Sequence, residues 1–376
     1  MKWIPIVLVP LLSVTIGAKG TDLASLTNLL NRAIVENDVV GVQLLVGHDR
    51  GIEFSASRGV LAPGSKRAVD HNTMFCIGST SKPLAAMTLL RLADREQIQL
   101  NRPIDVWLPA FGQTRLPGGR EIERAPNLAE LLCHRGGIYS QKLRLNRAQA
   151  RLLYDFDHTL QAAVDGIAGY PLIAPPGSLF AYSGAGYCVA GRIAEIVSDR
   201  SFDEVLRIEL CQPLGMKRTT YFPDRLDDNV STGALVEEGV KHPDPRQPHM
   251  SRPHHMQLVG GSLYSTAEDL AAFARAVIKL HRLGNGIIST ARWQEAIQKR
   301  GGEPDYGLGW KIYRSGDSVV ALAHSGHLAS SQANLHIELN TGRFFILLGS
   351  LVDWIGERGN RSWRDLNIAA MGLVGR

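Results

Sequence analysis

The chain has 376 residues, 44% of them hydrophobic and 20% charged, enough to bury a sizeable core as one large domain or as two lobes sharing a site. Its 41 basic and 36 acidic residues leave a formal charge of +5, and the charges are dispersed, with no Lys/Arg block and no basic stripe interleaved with aromatics. That distribution argues against a nucleic-acid partner.

Residues 1–18 combine Lys2, an apolar run from Trp3 to Ile16 interrupted by Pro5 and Pro10, and the small residues Gly17 and Ala18. This is the pattern of an export signal cleaved near Ala18, with an uncleaved anchor as the alternative. The expected location is periplasmic or secreted, and no second apolar run is long enough to span a membrane. Residues 22–36 repeat Leu and Ile at helical spacing. Val39–Gly47 and Ile52–Leu61 read as a hairpin across His48-Asp49-Arg50-Gly51. A helix over about 79–95 is apolar nearly all round and belongs in the interior.

The middle of the chain is helical in pattern. A short helix is expected over 128–133, a helical stretch over 144–168, a helix ending near Ser198 and another over 201–210. Residues 222–256 read as a long, polar, irregular segment. Its His249, His254 and His255 near Asp244 lack the spacing of a metal site and are taken as a solvated loop. Ser265, with Glu268 three residues on, predicts a capped start for a helix over 269–280. Four strand-like runs follow, Tyr306–Ile312, Ser318–His324, Ala333–Glu338 and Arg343–Leu351, and then a helix over 361–373.

Strands at both ends and helices between them predict an α+β fold: an antiparallel sheet built from both chain ends and flanked by helices, with a mostly helical lobe inserted. The sheet lobe would comprise 19–78 and 290–376, and the helical lobe 79–289. Cys76, Cys133, Cys188 and Cys211 each sit beside apolar residues in a helix or strand and read as buried free thiols. Neither a phosphate loop nor a metal-ligand spacing is present, so no cofactor is expected.

The chemistry starts at Phe75-Cys76-Ile77-Gly78-Ser79-Thr80-Ser81-Lys82. Ser79 and Lys82 are one helical turn apart, so a hydroxyl and an amine share a face at a helix start. A nucleophile and its base need that arrangement; a helix cap beside a solvated lysine would also produce it. Lys82 serves as a base only if burial or nearby cations bring its pKa from about 10.4 to roughly 7–8. Tyr182 is a second proton-transfer candidate, provided cationic neighbours favour its phenolate. His324-Ser325-Gly326-His327 ends a strand-like run, where Gly326 lets a substrate lie close to the backbone. The N–H groups of Ser79 and His327 would then be oxyanion donors, with His324 beside them as a proton donor or cation.

Taken in order, these segments resemble the serine β-lactamase and penicillin-binding-protein superfamily, in its class C-like branch. Ser79-Thr80-Ser81-Lys82 is similar to the family's Ser-x-x-Lys motif, Leu131 to Ile138 to its "LLTHTSGL" segment, and Tyr182-Ser183-Gly184-Ala185-Gly186-Tyr187 to "YSNxGY". Gly260 to Leu270 is similar to "GGLxSTAxDL", and Tyr306-Gly307-Leu308-Gly309-Trp310 and His324-Ser325-Gly326 follow in the family's order. The resemblance implies that Ser79 is acylated, that Lys82 and Tyr182 move protons, and that His324-Ser325-Gly326 replaces a Lys-Thr-Gly motif, with Ser325, Gly326 and Gly184 against the substrate. Two departures stand out: Gly184 where the family has asparagine, and His324 where it has lysine.

The expectation is therefore an exported serine hydrolase acting on a small ester, amide or peptidoglycan-like substrate, a carboxylesterase or D-amino-acid or cell-wall peptide hydrolase rather than a dedicated β-lactamase. The alternative is a non-catalytic penicillin-binding or assembly module on the same fold. The oligomeric state is not legible.

Overall fold

The computed structural model describes residues 22–36, 38–301, 304–353 and 361–375; the expected export signal lies outside them. The strands are β1 (Val39–His48), β2 (Gly51–Gly59), β3 (Phe75–Cys76), β4 (Ala234–Glu237), β5 (Val240–Pro243), β6 (Tyr264–Ser265), β7 (Lys311–Ser315), β8 (Ser318–Leu328), β9 (Ser331–Glu338) and β10 (Arg343–Asp353). The helices are α1 (Leu23–Val35), α2 (Ser81–Asp94), α3 (Leu128–Leu132), α4 (Arg147–Tyr154), α5 (Leu160–Ala168), α6 (Gly184–Ser198), α7 (Phe202–Leu206), α8 (Gln212–Leu214), α9 (Ala267–Leu283), α10 (Thr290–Ile297) and α11 (Arg361–Val374).

β1 is apolar along almost its whole length, and all but its last residue are buried. Such a run marks a strand covered on both faces. The main sheet runs β2-β1-β10-β9-β8-β7, antiparallel at each of these pairings, so it is built from the two ends of the chain as expected. On one face Val42, Leu44 and Val46 pack with Leu26 and Leu30 of α1 and Trp363 and Leu366 of α11. On the other, Leu45, Ile346 and Leu348 join the larger core around α2 and α9. Within α2, Arg91 and Asp94 are the residues that escape burial. Truncating one of its leucines to alanine should cost about 2–5 kcal/mol, because the close-packed surroundings cannot collapse fully onto the void.

Several details differ from the sequence expectations. The stretch 144–168 is two helices, because Asp155 turns the chain to extended geometry after α4 and Thr159 caps α5. The helix expected over 201–210 breaks into α7, a π-helical turn at Arg207–Cys211 and α8. Residues 306–310 are not strand. The Gly307 N–H donates to the Trp310 carbonyl at 2.9 Å, closing a turn that buries Trp310 against Phe273 of α9.

The segment 222–256 is neither wholly irregular nor solvated. It contains the β4–β5 hairpin, and β4 pairs in parallel with the end of β10. His249 is buried, with Nδ1 at 2.7 Å from the Tyr264 hydroxyl and Nε2 at 2.9 Å from that of Thr232. His254 is buried against Phe222 and Phe156. Burial holds both imidazoles down to about 4, so they are neutral packing groups. The cap of α9 is Thr266, one residue later than expected. Its hydroxyl accepts from the Asp269 N–H at 3.1 Å, while Ser265 belongs to β6. The four cysteines are buried and free.

Candidate active site

Ser79 sits in the 3₁₀ turn Gly78–Thr80 that leads into α2, half-buried at the base of a cleft. Lys82 lies in the first turn of α2, where Pro83 sacrifices no helical hydrogen bond. The lysine is almost wholly buried, and its Nζ donates to Ser79 Oγ at 3.1 Å and to the Gly260 carbonyl at 2.7 Å. Burial brings the amine from 10.5 down to about 7. The amine also lies 4.7 Å from the Tyr182 ring centre and 5.2 Å from that of Tyr187.

Tyr182 immediately precedes α6 and is fixed by the loop that follows α3. Ser140 Oγ donates to the Tyr182 carbonyl at 2.5 Å, and the Ser183 N–H donates to His134 Nδ1 at 3.0 Å. The His134 ring packs against Tyr182 with centroids 4.2 Å apart. Because Nδ1 accepts, the imidazole carries its proton on Nε2; burial, and then the charge of Lys82, hold His134 well below its ordinary pKa. Burial drives the Tyr182 phenol upward, opposed by its hydrogen bond with Ser79. Tyr182 is therefore a phenol at neutral pH, not the phenolate considered from the sequence. Lys82 is the group in this pair able to accept a proton.

The third wall is β8. An ideal Cβ on Gly326 would lie 1.8 Å from the Ile77 carbonyl oxygen and 2.9 Å from Ser79 N, and one on Gly78, at φ +51°, would lie 2.4 Å from His327 N. Only glycines allow the two backbones to cross this closely. The crossing brings the β8 backbone at His327 against the turn that carries Ser79.

The chain's family follows from this frame. A beta-lactamase family model matches residues 26–370. The chain belongs to the beta-lactamase family. Penicillin-binding protein 4 of Amycolatopsis lactamdurans is 27% identical over 329 residues, covering 83% of this chain and 81% of the relative. Esterase EstB of Burkholderia gladioli is 26% identical, covering 68% and 69%. Among solved structures, EstCE1, described as a hydrolase with promiscuous acyltransferase activity, superposes with a TM-score of 0.77 at 19% identity over 92% of this chain and 97% of its own; this likeness shows the fold. Penicillin-binding and esterase relatives together make this a serine-hydrolase branch of the beta-lactamase family.

The two departures from the family pattern now acquire a geometry. His324 is almost wholly buried. Its Nδ1 lies 2.8 Å from the Ser325 carbonyl and its Nε2 2.9 Å from the Tyr306 hydroxyl. A carbonyl only accepts, so Nδ1 carries the proton and Nε2 accepts from the phenol. Burial, then the charges of Lys82 and Lys311, hold the imidazole well below its ordinary pKa. The expected cation is thus corrected to a neutral ring that braces Tyr306. Ser325, the next residue along β8, is exposed to the cleft.

At Gly184 the space left by the missing asparagine is filled from elsewhere. The Gly184 N–H donates to Gln141 Oε1 at 2.6 Å, and a Cβ on Gly184 would touch the Gln141 amide at 3.4 Å. Gln141, His134 and Tyr306 were not singled out from the sequence. The last two lie inside the quoted motif segments, but nothing in the residue types announces that they converge on Tyr182.

Two cavities meet at Ser79. A cleft of about 850 Å³ opens on the Tyr182 side, walled by Phe180, Tyr306, His324 and Ser325. A small pocket of about 40 Å³ lies on the Lys82 side, lined by Gln141, Leu153, Tyr154, Gly184, Leu258 and Leu328. Outside both, Asp155, Asp157 and His158 come close enough to share an ion, though Arg151 already takes Asp155 at 3.2 Å.

Proposed function

We propose that this chain hydrolyses esters or amides through an acyl-enzyme on Ser79. One observation carries the reading: a buried amine with a pKa near 7 lies 3.1 Å from the Ser79 hydroxyl. Lys82 accepts the Ser79 proton as Oγ bonds to the substrate carbonyl carbon, and the resulting oxyanion takes the amides of Ser79 and His327. The tetrahedral adduct collapses with loss of the leaving group. Tyr182 supplies the proton that the leaving oxygen or nitrogen needs and recovers one from the Lys82 ammonium. Water then attacks the acyl carbon, with its proton taken by the same groups, and frees Ser79.

An esterase or D-amino-acid or cell-wall peptide hydrolase is favoured over a dedicated β-lactamase, because the neutral His324 does not supply the charge that a lysine would give at that position. Export is proposed on the N-terminal pattern Lys2, apolar run, Gly17-Ala18. No helix of the described residues is long and apolar enough to cross a membrane.

The test is intact-mass measurement after a fluorophosphonate, alongside turnover of p-nitrophenyl acetate. Wild type should gain one adduct and turn over, and Ser79→Ala should do neither. Equal labelling of Ser79→Ala would sink the assignment. A penicillin adduct that never clears, with no ester turnover, would favour a penicillin-binding module instead.

A further inference from the structure

Tyr182, which protonates the leaving atom in the hydrolytic steps above, lines the large cleft and not the small pocket. The leaving half of a substrate therefore lies in the cleft and the acyl half in the pocket, with the reacting carbonyl where the two meet. Among the described residues, Ser79 and His327 are the two that line both cavities. Whatever fixes β8 at His327 thus bears on the chemistry, and its support comes from a distant part of the chain.

His327 pairs with Gln332, and Leu328 pairs with Ser331 to close the β8–β9 turn. Ala329 in that turn has φ +50°, a left-handed conformation that alanine rarely adopts. Such a conformation persists only where its surroundings over-determine it. Asp244, directly after β5, is fully buried, and its Oδ2 accepts the Ser330 N–H at 3.0 Å. Gln247 is equally buried, and its Nε2 donates to the Ser330 and Ser331 hydroxyls at 2.9 Å each. From β10, the Leu351 N–H donates to the Ser330 carbonyl at 2.7 Å.

The segment that holds the turn is itself held. Asp244 Oδ1 accepts from the Arg246 backbone N–H at 3.0 Å and from Arg246 Nε at 2.8 Å, and Oδ2 accepts from Arg246 Nη2 at 2.8 Å. With the Ser330 amide, each carboxylate oxygen takes two donors, which fills its acceptor capacity. Arg246 reaches on to Asp353 at the end of β10. A buried carboxylate matched in this way cannot shift without leaving polar groups unpaired, so it makes a stiff anchor.

We propose that Asp244 and Gln247 are positioning residues for hydrolysis: they lock the β8–β9 turn, and the locked turn holds His327 against the turn that carries Ser79. The role of His327 here rests on the acyl-enzyme reading; the lock itself does not.

The test uses Asp244→Asn and Gln247→Leu, each alone and each combined with Ala329→Gly. Asparagine places an amide N–H2 where Asp244 accepts, and leucine removes the Gln247 donor while keeping an apolar side chain of similar reach. Turnover of p-nitrophenyl acetate is counted per serine labelled to completion by a fluorophosphonate, so an unfolded fraction does not enter. In Asp244→Asn kcat should fall by about 10–100-fold, and in Gln247→Leu by about two- to tenfold, with KM within about threefold of wild type. A displaced oxyanion contact acts in the transition state and therefore moves kcat. The acid limb of the rate should stay near pH 7, since Lys82 is untouched. Ala329→Gly, which takes a positive φ freely, should return part of the lost kcat in both backgrounds. Amide hydrogen exchange should quicken in a peptide covering residues 325–331 in both single variants. Unchanged kcat in both single variants, a shifted acid limb, or no recovery with Ala329→Gly overturns the positioning role. Unchanged exchange overturns the lock. If wild type takes no fluorophosphonate adduct, the acyl-enzyme reading falls with the role of His327, and the exchange comparison still decides the lock.

Discussion

The two cavities that end at the Ser79 hydroxyl differ in almost every property. The one on the Tyr182 side is open, about 850 Å³, and edged by Lys142, Lys299 and Lys311. The one on the Lys82 side is small, about 40 Å³, and lined by leucines, Tyr154 and glycines together with Ser79, Lys82, Gln141 and His327. Such asymmetry suits a reaction that splits a substrate into unlike halves. The large, charged space has room for varied leaving groups. A space of about 40 Å³ is filled by very few heavy atoms, since one water needs roughly 10–15 Å³ by the same measure. The acyl group is expected to be the small half.

The largest effect should come from the residue that serves both sides. Lys82→Met removes the base, and kcat/KM should fall by about 10²–10⁴ for any ester, whatever its acyl or leaving group. In wild type the neutral amine is the active form, so the rate should be full above pH about 7 and fall tenfold per pH unit below it. A rate profile with its acid limb near 4 would show that another group is the base. His324 should add no step near its ordinary 6.5, because it is already neutral there.

The small pocket predicts the next effect. Acyl chains longer than the pocket must displace Leu258 or Leu153, and overpacking of that kind costs about 1–3 kcal/mol. In a series of p-nitrophenyl esters, kcat/KM should therefore drop by about 10–100-fold between acetate and hexanoate. Leu258→Ala should recover much of the loss for the longer ester. A flat series, or an unchanged series in Leu258→Ala, would break the assignment of the acyl side.

How much of this was legible in the sequence follows the same asymmetry. The sheet from both chain ends, the buried α2 and the Ser79–Lys82 pairing all depend on local periodicity and one-turn spacing, which a sequence displays directly. The cleft does not work that way. His324 looked like a cation because its residue type titrates near neutrality, and its burial against Tyr306 is decided by a contact across 18 positions. Lys142 and Lys311 are ordinary surface lysines by sequence and become neighbours only when β7 folds back across from the loop after α3. The histidines at 249 and 254 misled in the opposite direction. A Pro- and His-rich stretch suggested solvent, and the buried partners Tyr264, Phe156 and Phe222 come from elsewhere in the chain.

The smallest predicted effect concerns the seam between the two cavities, where Gln141 stands in for the asparagine that Gly184 lacks. Its carbonyl oxygen accepts the Gly184 N–H at the start of α6, beside Tyr182. Gln141→Ala leaves that amide without its side-chain partner and loosens the entrance of α6, so the phenol is less well held. A part-buried neutral hydrogen bond is worth about 0.5–1.5 kcal/mol, which corresponds to a loss of roughly two- to tenfold in kcat. The same truncation enlarges the small pocket, so longer acyl groups should lose less than acetate does. Measuring acetate and hexanoate on one preparation of Gln141→Ala separates the two consequences. A uniform loss across the series would make Gln141 purely a brace for Tyr182. A loss confined to acetate would make it the floor of the acyl pocket.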